Sequence, residues 1–150
     1  MDTSSEITRL AGIVLDASNA AIERVRRRRA EPAARKGIDE EVKRMEDAAA
    51  ELSALVGAEE NAQLESSNAQ GWNFVPWLQD KSETISDGVK ILSRYARMDP
   101  ATASFSHGTT MTAETLINQG MMLGLETARH GARSLFTLVF DDRIGIKRKE

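Results

Sequence analysis

At 150 residues the chain fits one domain with room for a buried core, and its 41% hydrophobic and 29% charged residues exclude wholesale disorder. The absence of cysteine excludes a disulfide framework, a thiolate nucleophile and any cysteine-based metal site. A net charge of -3 says little by itself, but the charge is unevenly spread: residues 24–36 hold seven basic side chains against one acid, Glu31, while residues 39–65 hold nine acids against Lys43 and Arg44.

Aromatic residues make up only 5% of the chain, so the core has to be built from aliphatic side chains, which favours helices over strands. No apolar run approaches the roughly 18 residues that a membrane-spanning helix needs. The start, Met1 to Glu6, lacks the basic region of a signal peptide. The expectation is a soluble, cytoplasmic protein that does not engage membranes.

The first helix is predicted from about Ser4 to Arg29. Thr3 and Glu6 have capping-box spacing, and Ile7, Leu10, Ala11, Val14, Ala17, Ala21 and Val25 recur at a period near 3.6, widened by Leu15 and Ile22. Pro32 marks its stop, and Arg26, Arg27, Arg28 and Arg29 fall in the last turn, where cations meet the negative end of the helix dipole. A second helix is predicted from about Asp39, read as its N-cap, to Glu65. Its apolar seam is Ile38, Val42, Met45, Ala49, Leu52 and Val56, and Gly57 is a place for it to end or bend.

The third helix starts near Asn73 or Val75 with Pro76 in its first turn, carries Leu78, Ser82, Ile85, Val89, Leu92 and Tyr95 on one side, and closes at Asp99-Pro100. Residues 101–110 read as an exposed loop. The fourth helix spans Thr112 to about Ser134. In it Gly120, Gly124, Ala128 and Ala132 recur every four residues and form a shallow groove for another helix. Three glycines, Gly120, Gly124 and Gly131, cost roughly 1 kcal/mol each against alanine in a helix interior, so a tight contact has to offset them. Residues 135–140 have strand composition, and Asp141-Asp142 can turn them into a hairpin, but the same stretch can also extend the fourth helix.

These patterns predict an all-α fold: a bundle of four main helices in one domain over residues 1–150, with residues 134–150 as a short C-terminal extension that is either β or helical. The basic cluster, Arg24, Arg26, Arg27, Arg28, Arg29, Arg35 and Lys36, suits phosphate oxygens. Alternatively it forms a solvated helix end or pairs with the acidic second helix. Trp72 and Trp77, flanking Phe74 and Pro76, are either an interface anchor or a plug at one end of the bundle. The row Gly120, Gly124, Ala128, Ala132 is either a close crossing within the chain or an oligomer contact.

His130, with Arg133 and Ser134 three and four positions on, is loosely similar to the phosphoacceptor segment of histidine-phosphotransfer domains, which are four-helix bundles. Those domains usually carry Lys and Gly at the two later positions, so this sequence departs from the pattern there. Neither a zinc-binding H-E-x-x-H nor a P-loop nor a G-x-S-x-G elbow is present, and no metal site or cofactor is expected.

The leading expectation is a non-enzymatic helical interaction protein acting by self-assembly or by docking a protein partner, as a structural subunit, assembly factor or adaptor. The alternative is nucleic-acid or polyanion binding through the basic cluster, helped by Lys147, Arg148 and Lys149. A third possibility is phosphotransfer through His130.

Overall fold

The computed structural model describes residues 3–27, 34–66, 74–99 and 113–136. Within them lie four α-helices and no strand: α1 (Thr3–Arg27), α2 (Ala34–Ser66), α3 (Phe74–Ala96) and α4 (Ala113–Phe136). No helix among them is long and apolar enough to cross a membrane. Each consecutive pair packs together, and α1 packs on α4, so the helices close into a ring.

All four neighbouring pairs run antiparallel. Arg9 reaches Glu51 and Arg44 reaches Asp16 across α1 and α2; Ser53 meets Ser86 and Glu46 meets Ser93 across α2 and α3. Gly120 lies under Tyr95 and Gly131 under Ile85 across α3 and α4, while Phe136 lies over Gly12 and Arg129 meets Asn19 across α4 and α1. In each pair the residue numbers rise on one helix as they fall on the other, which defines an up-down-up-down bundle.

The core follows the apolar periodicities. The first-helix stripe is buried, as are Ile38, Val42, Met45, Ala49, Leu52 and Val56 on α2 and Leu78, Ile85, Val89 and Leu92 on α3. Among the described residues, none of the large, fully buried side chains is aromatic, in keeping with the composition. Ser18, buried among them, donates its hydroxyl to the Leu15 carbonyl at 2.9 Å, so its burial carries no unmet hydrogen bond.

One boundary differs from the sequence expectation. The second helix starts at Ala34, so Asp39 stands inside it and is not its N-cap. The physical reason is Ile38: it is buried as the first residue of the seam, and the turn that orients it has to form ahead of it. The same helix runs through Gly57 to Ser66. A Cβ at Gly57 would meet nothing within 4 Å, so this glycine costs helix propensity alone and packing is untouched. At the chain's other end, Leu135 and Phe136 are helical, Leu135 fully buried; residues 137–150, where a strand or hairpin was one expectation, lie outside the described residues.

The tightest contact is between α3 and α4. A Cβ on Gly124 would sit 2.5 Å from the backbone nitrogen of Leu92 and 2.6 Å from the carbonyl oxygen of Gly88. One on Gly88 would sit 2.7 Å from the Gly124 carbonyl oxygen and closer still to the Ala128 nitrogen. The obstacles are backbone atoms, which cannot rotate away, so two helix backbones touch here only because both residues lack a side chain.

Across α2 and α3, Glu46 accepts a hydrogen bond from the Ser93 hydroxyl at 2.8 Å and pairs with Arg97 at 2.9 Å. Burial alone pushes the Glu46 pKa up, but Ser93 and Arg97 together outweigh it and hold the carboxyl below its ordinary value.

Two predictions follow from this packing. Gly124→Ala is expected to lose about 2–3 kcal/mol in urea denaturation despite alanine's better helix propensity, because the added methyl overpacks a backbone contact. Gly57→Ala is expected to gain up to about 1 kcal/mol; a stabilised Gly124→Ala would mean that the crossing is wider than described. Secondly, the Glu46 carboxylate's folded pKa lies below its unfolded one. Its contribution is therefore present above the unfolded value and is lost as pH falls through the folded one. Glu46→Gln should flatten the acid limb of stability against pH, read from urea midpoints between about pH 7 and pH 3.

Candidate interaction surface

Where α1 ends, α4 presents a stripe of residues at helical spacing: Thr115, Asn118, Gln119, Met122, Leu123 and Glu126. With Val25 and Arg26 of α1 they line an open groove of about 520 Å³. The antiparallel register explains its place. Asn19 lies against Arg129 and Gly12 against Phe136, and continuing that register sets Arg26 beside Met122.

The floor of the groove is apolar. Val25 is buried, Met122 is half-buried against the core, and Leu123 is 57% exposed. Leu123 is the large hydrophobic side chain that the described residues leave in water. Arg26 on α1 and Glu126 on α4 are both exposed at its edge, and neither forms an ion pair with a described residue.

The reason α4 carries apolar residues on its outer side is legible in its sequence. Residues 121–125 read Met-Met-Leu-Gly-Leu, five apolar positions in succession. Successive helical residues turn by about 100°, so one buried face cannot take them all. Met121, Gly124 and Leu125 go inward, and Leu123 is left outside.

The candidate residues named from the sequence are placed as follows. Gly120, Gly124, Ala128 and Ala132 are all buried within the chain, and α3 covers the row: the Tyr95 ring sits on Gly120, and the backbone of Gly88 and Leu92 on Gly124. The oligomer-contact reading of this row is therefore corrected to a close crossing inside one chain, and the face is not free for a second one. Sequence reasoning saw only the α4 half of that crossing. Gly88 is its counterpart on α3, and the lone glycine in the middle of an amphipathic helix was the available signal.

Trp77 is half-buried and packs against the core; Trp72 lies outside the described residues. Of the basic cluster, Arg24 is half-buried and Arg26 and Arg27 are exposed in the last turn of α1, with Arg27 3.5 Å from Glu23 on its own helix. Arg28 and Arg29 lie outside the described residues, and Arg35 and Lys36 belong to the first turn of α2. Four of the described acids of α2 pair elsewhere: Glu41 with Arg44, Glu46 with Arg97, Asp47 with Lys43 and Glu51 with Arg9. None of Arg24, Arg26 and Arg27 forms an ion pair with a described acid of α2, so these three do not make the pairing that was one alternative for the cluster.

His130 is exposed on α4, and the Ser134 hydroxyl donates to the His130 carbonyl at 3.2 Å, a bond within the helix that leaves the imidazole uninvolved. Among the described residues no three His, Asp or Glu side chains gather closely enough to hold a metal ion. Comparisons of the chain with protein-family models, with curated proteins and with solved structures gave no match.

Proposed function

We propose that this chain is a non-enzymatic helical interaction protein, working in the cytoplasm by docking another protein surface in the groove between the end of α1 and the outer face of α4. The observation that carries this reading is Leu123, 57% exposed beside Met122 and Val25 in a groove with charged edges. A single leucine in water needs no explanation. An apolar floor with a concave shape and a polar rim is the anatomy of a contact surface.

A second reading, polyanion binding, draws support from Arg24 and Arg26, which no described acid neutralises. Such binding is electrostatic and falls steeply as salt displaces it.

The docking reading is tested by selecting displayed helical peptides on the purified chain and counter-screening on Leu123→Glu. Because Leu123 is exposed, the variant should keep its stability within about 0.5 kcal/mol. Peptides that bind the chain and lose at least about tenfold in affinity on the variant are expected; a selection that returns only peptides indifferent to the substitution overturns the reading. For the second reading, an electrophoretic shift with double-stranded DNA at low salt should disappear in an Arg24→Glu, Arg26→Glu, Arg27→Glu triple variant. An equal shift by both proteins removes it.

A further inference from the structure

The two charges at the groove point to its occupant. Arg26 stands on α1 and Glu126 on α4, with Leu123 and Met122 lining the same groove, and neither charge is in an ion pair with a described residue. An acidic partner would meet Glu126, and a basic one would meet Arg26. The surface that satisfies both is one carrying the same two charges in reversed order, which is what a two-fold axis produces from a second copy of this chain.

We propose that the groove is a self-complementary contact between two copies of this chain, with Leu123 of each copy against the apolar floor of the other. Arg26 of each copy then faces Glu126 of the other. This rests on the docking reading and names its partner.

An isologous contact makes a demand that other contacts do not. In Arg26→Glu both positions are acidic, and in Glu126→Arg both are basic, so each variant repels its own copies. A copy of one and a copy of the other are complementary at both places. The double variant, with both substitutions, restores the pairing with its sense reversed.

The experiment is native mass and sedimentation velocity on the full chain at about 1–100 µM, with helicity checked by circular dichroism. The wild-type chain is expected to form a dimer that weakens with added salt. Each single variant should raise the dissociation constant by about tenfold or more, while an equimolar mixture of the two should return a dimer of intermediate mass, and the double variant should dimerise alone. Leu123→Glu, which leaves both charges in place, should be monomeric. A monomeric wild-type chain, or dimers equally strong in both single variants, overturns the proposal. The peptide selection above reads a different quantity: if it succeeds while the charge exchange fails, the groove docks another protein and not its copy; if both fail, the docking reading falls as well.

Discussion

The bundle depends on one constraint, that the backbones of α3 and α4 touch at Gly88 and Gly124. Neither residue can carry a methyl without striking main-chain atoms of the opposite helix. Two glycines in helix interiors are locally unfavourable, and what offsets them is dispersion between surfaces that meet without intervening side chains. Tyr95 over Gly120 and Ile85 over Gly131 extend the contact on either side, so large groups on α3 fill the shallow face of α4. Because this face is given over to α3, the remaining apolar residues of α4 have to serve elsewhere: Met122 half-buried beside α1, and Leu123 in water.

The four helices were legible in the sequence because burial in a helical bundle imposes a single period on each segment. Ile7 to Val25 and Ile38 to Val56 declare their inner faces without reference to any other part of the chain. The start of α2 was less legible. An acid ahead of an apolar run looks like a cap, yet Asp39 follows a seam residue, and tertiary burial of Ile38 outweighs the local cap signal. The small-residue row was visible but its partner was not, since one strip of glycine and alanine says that something approaches closely and does not say what. Only the pairing of Gly88 with Gly124 decides between a neighbouring helix and a neighbouring molecule. The groove was missed for a related reason: searching each helix for its buried stripe passes over what a second, narrower apolar strip leaves outside.

Charge is distributed by the same logic. Among the described residues, the acids of the second segment do not draw in Arg24, Arg26 or Arg27; those that pair do so within α2, with Arg9 of α1, or with Arg97 just past the end of α3. Arg44 shows the pattern most fully, reaching Glu41 on its own helix at 2.7 Å and Asp16 on α1 at 3.1 Å, and the carboxylates raise its pKa above the ordinary value, Asp16 most of all. Exposed pairs of this kind add little stability individually, but they reward the antiparallel register over a slipped one.

The closed ring of helices has a kinetic corollary. Three of its four seams join helices that follow each other along the chain, so forming them closes only short stretches of polypeptide. The fourth, between α1 and α4, joins the first described helix to the last across more than half of the chain, and its loop-closure entropy is the largest of the set. That seam is the natural last step of assembly and the natural first place for the native bundle to breathe. The groove lined by Val25 and Leu123 lies along it, so whatever occupies the groove also latches the ring shut.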